Sequence, residues 1–256
     1  MRIPRIYDAN MPDSEGSELI LDEFGANHVS KVLRFKVGDQ IQLFDGRGNE
    51  YLAQLTQVGK KTQVRLTQKL ERNVESPIQV ELLQVISRGD RMDFTIQKAV
   101  ELGISKIIPL TSERCGVKLD AERAAKKIES YQKIAIAACE QCGRNVVPKV
   151  EALCSLSSFL QSHNSTCTAP DSNLCTDQDG FLNITLDPRA QYKLSELPKT
   201  GKYRILIGPE GGFSADEVEL TKNSGFVGVT LGPRILRTET TALVSLAILG
   251  SALGDL

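Results

Sequence analysis

The chain of 256 residues lacks tryptophan and has only two histidines, His28 and His163, far apart in sequence. We therefore expect neither a histidine-based catalytic triad nor a histidine metal site, since both need a histidine close to other reactive or ligating groups, and we expect no metal. An excess of one charge is also missing, because 31 basic and 32 acidic residues leave a formal net charge of −1. Any binding to nucleic acid must come from local basic patches.

Long apolar runs are absent as well. No segment approaches the roughly 20 apolar residues of a membrane-spanning helix, and the first residues lack a signal-peptide core. The six cysteines are scattered, so we expect reduced thiols, a cytoplasmic location and no membrane partner. Cys139 and Cys142 have the spacing of a metal or redox pair, but no second ligand pair stands at a suitable distance. Buried free thiols are the favoured interpretation.

Two regions with different patterns are present. Residues 1–70 hold short apolar runs separated by turn signals, which predicts a small β-barrel. Residues 71–77 are polar and are predicted to be a linker. From residue 78 to residue 256 strands and helices alternate, which predicts an α/β domain with a parallel sheet.

The predicted elements follow from periodicity and turn residues. The predicted strands are 40–44, 51–58, 62–66, 78–86, 106–110, 182–186, 205–207 and 226–231. The predicted helices are 27–34 with Val29, Val32 and Leu33 inward, a helix that carries Met92 to Val100 and ends before Gly103, 119–142, 156–161, a helix capped by Ser214 and stopped by Gly225, and a largely buried one capped by Thr238. Residues 154–179 are otherwise interpreted as a variable surface connection.

Two glycine-containing turns dominate the last fifth of the chain. Each follows an apolar strand with Gly-Pro: Gly208-Pro209 after the first, and Gly232-Pro233 after the second. We expect the two strand ends to lie side by side and to form a crevice at the carboxyl edge of the sheet, where open α/β folds bind ligands.

The crevice is suited to a flat, partly apolar, cationic or zwitterionic ligand. Glycine backbone can approach a heterocycle closely, while Leu206, Leu231, Ile235 and Leu236 can cover its faces. The hydroxyls of Thr238 and Thr240 are further partners. A phosphate cradle is disfavoured because Glu210 would repel an anion. The simpler alternative is a pair of ordinary tight turns without a ligand.

Three blocks of sequence resemble a known family. Residues 207–214 (IGPEGGFS), 231–240 (LGPRILRTET) and 140–144 (EQCGR) resemble ribosomal RNA small subunit methyltransferase E, which methylates N3 of a uridine in 16S rRNA. The resemblance covers nearly the whole chain. It implies a PUA-like barrel followed by a SPOUT methyltransferase domain with a deep trefoil knot. It also implies S-adenosylmethionine as cofactor, the small ribosomal subunit as partner, and a homodimer.

The resemblance also implies site residues. The cofactor-binding set is Leu206, Ile207, Gly208, Pro209, Glu210, Gly211, Gly212, Leu231, Gly232, Ile235, Leu236, Arg237, Thr238 and Thr240. Arg144 and Arg234 are predicted to hold the RNA and its developing negative charge. The predicted RNA contacts, with a solvated surface as the alternative for several, are Lys31, Arg34, Arg47, Arg88, Arg91, Arg114, Lys118 and Arg144. The general base stays open, with Glu210 and Glu239 as candidates.

Two rival functions remain at this point. One is a knotted methyltransferase that acts on a ribose 2′-hydroxyl or a tRNA base. The other is an RNA-binding module without catalysis.

Overall fold

The computed structural model describes residues 3–163, 176–253 and 255–256. It forms two compact units. Residues 136–147 belong to the first unit and so interrupt the second in sequence, which no sequence pattern indicated. The first unit comprises residues 1–75 and 136–147, and the second unit comprises residues 76–135 and 148–256. Part of the predicted surface connection, residues 164–175, lies outside the described residues. The division into 1–70, 71–77 and 78–256 stays a prediction.

The first unit contains a five-stranded sheet around an apolar core. Its strands are β1 (Arg5–Tyr7), β2 (Glu18–Ile20), β3 (Gln40–Phe44), β4 (Glu50–Gln57) and β5 (Gln63–Lys69), in the order β1-β3-β4-β5-β2. β1 pairs parallel with β3, and the other pairs are antiparallel. In β4, Tyr51, Ala53 and Leu55 alternate with more exposed residues and fill the core, as the period of a half-buried strand requires. The three strands predicted here are confirmed.

The predicted helix at 27–34 is wrong in its details. Helix α1 (Glu23–Asn27) begins after Asp22, whose side chain accepts a hydrogen bond from the Gly25 amide. A π-helical turn follows over His28–Val32. Its wider winding takes Val32 off the buried face, so Val29 is buried as predicted while Val32 is 70% exposed.

The second unit is built on a parallel sheet of eight strands. They are β6 (Gln79–Val85), β7 (Lys106–Thr111), β8 (Lys149–Val150), β9 (Cys154–Ser155), β10 (Leu182–Leu186), β11 (Tyr192–Lys193), β12 (Lys202–Ile207) and β13 (Val227–Thr230). The order is β11-β13-β10-β12-β6-β7-β8, with β9 also beside β7. All of these strands pair in parallel, which confirms the predicted α/β class.

The expectation that the two strands before the glycine turns are neighbours is wrong. β10 lies between β12 and β13 and pairs with both. Periodicity identifies a strand but carries no information on its neighbours, and the buried run Leu182–Ile184 takes the central place. Because the three strands are parallel, their carboxyl ends still meet at one edge of the sheet.

In the described residues, five helices lie in the second unit or begin in it. They are α2 (Arg91–Glu101), α3 (Ala121–Cys142), α4 (Leu156–Ser162), α5 (Ala215–Asn223) and α6 (Thr238–Leu253). The predicted ends of α5 are confirmed: Ser214 and Glu217 form a capping box. After α5, Gly225 has φ +80 and donates to the Lys222 carbonyl, as in a Schellman ending.

Helix α6 packs against α2. Ala242 and Leu246 are almost fully buried as predicted, whereas Leu243, Ala247 and Leu253 are only partly buried. The prediction that Thr238 caps the helix is wrong, because Thr238 is its first helical residue and the Arg237 carbonyl accepts from the Thr241 amide. The side chain of Thr238 is thereby free to make other contacts, described below. No helix in the described ranges is long and apolar enough to cross a membrane.

Candidate functional site

A cavity of about 420 Å³ opens at the carboxyl edge of β10, β12 and β13; we call it the turn cavity. The last residues of all three strands line it, together with the two glycine turns. The lining also includes Asp187, Pro188 and Arg189 after β10, Phe213, Val218, Thr221, Lys222, Gly228, Thr241 and Arg114. Its size lies in the range of about 300–1,000 Å³ that small-molecule sites occupy.

Glycine is required at two points of the turn cavity. Gly212 has φ +66 and Gly232 has φ +124, in the left-handed region that side chains rarely adopt. A Cβ at either position would meet no other atom within 4 Å, so a side chain would extend into open space next to the cavity lining. These positions therefore let a ligand approach bare backbone.

The chemistry of the lining suits a molecule with an apolar ring and charges of both signs. Ile207, Leu231 and Leu236 supply apolar surface. Asp187 contributes a negatively charged carboxylate, and Lys222 contributes a positively charged ammonium group. A cavity with bare backbone, apolar walls and a few charged groups is typical of a cofactor site.

A second, more open cleft of about 1,050 Å³ lies next to the turn cavity; we call it the arginine cleft. It is lined by Arg88, Gly89, Asp90, Arg91, Phe94, Arg114, Gly116, Glu210, Gly211, Arg237, Glu239 and Thr240. Its four arginines are exposed, and Phe94 is 48% exposed. Exposed guanidinium groups around an exposed ring are suited to phosphates and stacked bases.

The two glycine turns form the wall between the turn cavity and the arginine cleft. Gly212 faces the cavity while Glu210 and Gly211 line the cleft, and Thr238 faces the cavity while Glu239 lines the cleft. Arg114 lines both and donates to the Gly211 carbonyl at 3.2 Å. The two compartments therefore adjoin at these turns and at Arg114.

The structure distributes the predicted cofactor residues over three places. Those that line the turn cavity are Ile207, Gly208, Gly212, Leu231, Gly232, Ile235, Leu236 and Thr238. Those that line the arginine cleft are Glu210, Gly211, Arg237 and Thr240. Leu206 belongs to the apolar core with Leu83 and Phe226, and Pro209 is buried within its turn. Arg234, predicted to be catalytic, is exposed at the rim of the turn cavity.

The residues predicted to contact RNA also lie in different parts of the structure. Arg88, Arg91 and Arg114 come together in the arginine cleft, and Lys118 is exposed shortly after Gly116. Lys31, Arg34 and Arg47 lie in the first unit and are exposed. Arg47 is partly engaged there, because it pairs with Asp45 and donates to the Ala9 carbonyl.

Arg144 occupies a different setting from the one expected. It lies in the first unit, where its guanidinium is only 6% exposed and pairs with Glu75, with Nε to Oε2 at 2.9 Å. The backbone next to it is held as well, since the Arg144 carbonyl accepts from Arg5 and the Val146 amide donates to Glu75. These contacts give Arg144 a structural role within the first unit. Its contact with a substrate stays a prediction and requires the pair with Glu75 to open.

The rest of the block at 140–144 is also engaged in the first unit. The Glu140 carboxylate accepts from the Tyr7 amide at 2.9 Å, and burial raises the pKa of Glu140. Cys139 is a buried free thiol as predicted, and burial raises its pKa to about 12, so this thiol is unreactive at neutral pH. Cys142 is free but only partly buried. Over the described ranges, no cluster of His, Cys, Asp and Glu could hold a metal ion.

The segment from Thr185 to Arg189 forms one side of the turn cavity and was not among the predicted site residues. A signal was present: a buried strand followed by Asp187-Pro188 is a third strand ending in a turn. Asp187 accepts from the Arg189 amide at 2.9 Å, which orders this turn. Only the order of the strands shows that it stands between the two glycine turns.

The amino end of β12 is anchored by a buried ionic network. Arg204, 3% exposed, pairs with Glu81 and Asp177 and donates to Asn183, and Lys106 also pairs with Glu81. Burial by itself raises the pKa of Glu81 and of Asp177, but these cations and hydrogen bonds outweigh it and hold both pKa values below their usual range. The strand that carries Gly208 is thus fixed at its other end.

The network predicts that the second unit loses stability in acid. Because the folded pKa values of Glu81 and Asp177 lie below the unfolded values of about 4, their contribution is complete above that pH and is lost as pH falls through the folded values. Urea unfolding at a series of pH values between 6 and 2.5 measures this. The decline with falling pH should be shallower in Glu81→Gln than in the unmodified protein, and parallel curves would contradict the assignment.

Comparisons with known proteins agree over the whole chain. Residues 74–250 match a family model described as an RNA methyltransferase domain, and residues 25–64 match an RNA methyltransferase PUA domain. Ribosomal RNA small subunit methyltransferase E from Buchnera aphidicola is 34% identical over 256 residues, which cover 99% of this chain and 95% of the relative. The Bacillus subtilis protein of the same name is 37% identical, over 86% of this chain and 85% of the relative.

Two solved structures are also similar over almost their full length. One is ribosomal RNA small subunit methyltransferase E from Neisseria gonorrhoeae bound to S-adenosylmethionine, with a TM-score of 0.85, 36% identity and 99% of each chain covered. The other is a putative methyltransferase from Legionella pneumophila in complex with the same cofactor, with a TM-score of 0.85, 38% identity and 98% of each chain covered.

Proposed function

The chain belongs to the ribosomal RNA small subunit methyltransferase E family, and from this premise we propose that it methylates N3 of a uridine in 16S rRNA. It is an RNA methyltransferase that uses S-adenosylmethionine. The observation that carries the proposal is the pair of compartments on either side of the glycine turns. One has the character of a cofactor site, and the other has the character of an RNA site.

The residues of the turn cavity fit S-adenosylmethionine. When bound, this cofactor supplies a methyl group on a positively charged sulfur. Ile207, Leu231 and Leu236 can cover the faces of its adenine, and the bare backbone at Gly212 and Gly232 can approach the ring edge. Asp187 at the same cavity can bind its amino group or offset its positive charge.

We assign RNA binding to the arginine cleft and to cations of the first unit. Arg88, Arg91 and Arg114 would contact phosphates around the target nucleotide. In-line methyl transfer needs N3 and the methyl carbon in direct contact, so we place the uridine at the border of the cleft with the turn cavity, next to the glycine turns. Lys31, Arg34 and Arg47 would contact the rRNA backbone elsewhere.

Two arginines are proposed to stabilise the transition state. When N3 of uracil loses its proton, negative charge spreads onto the neighbouring carbonyl oxygens. Arg237 lines the arginine cleft and Arg234 stands at the rim of the turn cavity, so both are close to the wall where this charge develops. The predicted contact of Arg144 with the uridine remains part of the proposal, although its carboxylate partner Glu75 must release it first.

Three further properties are inferred from family membership. We propose that the segment from about Leu231 onward threads beneath the turn at 208–212 as a trefoil knot. We also propose a homodimer, and a cytoplasmic location, where the small ribosomal subunit is assembled. The order of the strands, with β10 between β12 and β13, is compatible with such a threading because it brings both turns to one cavity.

Transfer of labelled methyl groups to small subunits from cells that lack this protein tests the proposal. Digestion of the 16S rRNA and mass spectrometry of its nucleosides should give 3-methyluridine at one position, with naked 16S rRNA as the comparison substrate. A 2′-O-methylated nucleoside, or methylation of tRNA alone, would replace the proposal with the rival methyltransferase activity. Binding to the subunit without any methyl transfer would leave only an RNA-binding module.

A further inference from the structure

We propose that Glu239 is the general base that removes the N3 proton of the target uridine, an inference that rests on the function proposed above. Neutral uracil carries a hydrogen on N3 and is a poor nucleophile there, so methylation requires an acceptor for this proton. The acceptor must lie at the boundary between the RNA cleft and the cofactor cavity. Among the residues that line the arginine cleft, the carboxylates are Asp90, Glu210 and Glu239.

Glu239 stands at the wall between the two compartments. It is the second residue of α6, directly after Thr238, which lines the turn cavity, while Glu239 itself lines the arginine cleft. Its side chain is 15% exposed, compared with 38% for Glu210. A partly enclosed carboxylate at this position can act as the base for a uridine that faces the methyl donor.

The carboxylate of Glu239 accepts from one hydroxyl group, which in turn contacts a second. Thr238 Oγ1 donates to Glu239 Oε2 at 3.2 Å, and Thr238 Oγ1 is 3.2 Å from Ser87 Oγ. Both hydroxyl-bearing residues are buried, and Ser87 follows β6 at the same edge of the sheet. A base held by a second group, which is held by a third, is the arrangement that positions bases in other active sites.

Glu210 is less suited to this task. Its Oε1 accepts from Arg91 Nη1 at 2.7 Å, so a short ion pair already occupies it. Arg91 Nε also pairs with Glu239 Oε1, but at the longer distance of 4.0 Å. The other charged groups that line the cleft around Glu239 are Arg88, Asp90, Arg114 and Arg237. The arginines among them would stabilise the uracil anion that Glu239 generates.

The step is balanced within the site. The N3–H bond breaks and its proton passes to the Glu239 carboxylate. The electron pair left on N3 forms the new bond to the methyl carbon, and the bond from that carbon to sulfur breaks with its electrons on sulfur. The products are 3-methyluridine, neutral S-adenosylhomocysteine and protonated Glu239, which then returns its proton to solvent.

The test is the pH dependence of single-turnover methylation in Glu239→Gln. Without its base the variant depends on uridine that has already lost the N3 proton, so its rate should be at least about 100-fold lower at pH 7, the scale of general-base catalysis. The deficit should shrink about tenfold for each pH unit up to pH 9. Subunits reconstituted with 5-fluorouridine, whose N3–H is more acidic, should rescue the variant at neutral pH.

Two variants separate a catalytic role from a structural one. Ser87→Ala should lower the rate severalfold with the pH profile of the unmodified protein, because it loosens the hydroxyl chain but keeps the base. Glu219→Gln, at an exposed position of α5, is the matched control for loss of a carboxylate. Urea unfolding of Glu239→Gln measures any weakening of the first turn of α6, where an acidic residue favours the helix.

The outcomes are distinguishable from failure of the proposed function. If the unmodified protein forms no 3-methyluridine, the function itself is wrong. If it does, and Glu239→Gln keeps its rate, or loses it equally at every pH and without rescue by 5-fluorouridine, Glu239 is not the base. Unchanged binding of S-adenosylmethionine by calorimetry in Glu239→Gln completes the expected result.

Discussion

Replacement of Gly232 by leucine is expected to raise the dissociation constant of S-adenosylmethionine by about 100-fold or more, equivalent to roughly 2.7 kcal/mol. Two effects combine at this position. The backbone has φ +124, which a leucine adopts only with strain, and the side chain would extend into open space next to the cavity lining. Isothermal titration calorimetry with the purified full-length chain measures the change directly.

Gly201→Leu is the matched control for this substitution. Gly201 also has a positive φ, +76, and open space where a Cβ would stand, but it precedes β12 at the edge of the sheet away from the turn cavity. This variant should lose stability on a similar scale and keep its affinity for the cofactor. Equal affinity losses in both variants, or no loss in Gly232→Leu, would contradict the assignment of the turn cavity.

Arg5→Leu is expected to destabilise the first unit by about 3–5 kcal/mol, the usual cost of removing one partner of a buried ion pair. The guanidinium of Arg5 is 1% exposed and pairs at 2.8 Å with Glu50, which is fully buried. It also donates to the Cys139 and Arg144 carbonyls, so it connects β1 to residues more than 130 positions away. Its loss leaves a buried carboxylate and two carbonyls without this donor.

Thermal and urea unfolding of the full-length chain would measure the effect of Arg5→Leu. Arg65→Leu is the control, because Arg65 pairs with Glu18 at the surface, where both side chains are around half exposed. An exposed pair contributes at most about 1 kcal/mol. If the two variants were equally stable, the buried network around Arg5 would not hold the first unit together.

Much of the fold followed from local patterns because those patterns are set by neighbours in sequence. The capping box of Ser214 with Glu217, the glycine after α5, and the apolar runs of β6, β7, β10 and β12 were all predicted and confirmed. These features depend on side chains three or four positions apart, or on an apolar run of five to seven residues. Such interactions are readable without knowledge of the tertiary structure.

The wrong predictions concern features that depend on contacts between residues far apart in sequence. Neither the place of β10 between β12 and β13 nor the packing of residues 136–147 with the first unit leaves a local trace. The setting of Arg144 was not predicted for the same reason. Its motif is conspicuous in sequence, but its partner Glu75 lies 69 positions away. The prediction that Val32 is buried was wrong for another reason, since a π-helical turn cannot be told from an α-helix by composition.

The site was predicted in outline and corrected in detail. The glycine turns do share one cavity, but they also form a wall, so that neighbouring residues such as Thr238 and Glu239 face different compartments. A sequence motif lists residues in a row and cannot show on which side of a wall each one lies. That distinction is what separates a cofactor residue from a residue that meets the RNA.

A crystal structure of the chain grown with S-adenosylmethionine would show directly whether the turn cavity holds the cofactor. We expect density for the cofactor in the turn cavity, against the backbone of Gly208, Gly212 and Gly232 and the side chains of Leu231 and Leu236. Its methyl group should lie at the border with the arginine cleft, on the side of Glu239, where N3 of a uridine can contact it directly. Cofactor density at any other place, with the turn cavity empty, would contradict the account.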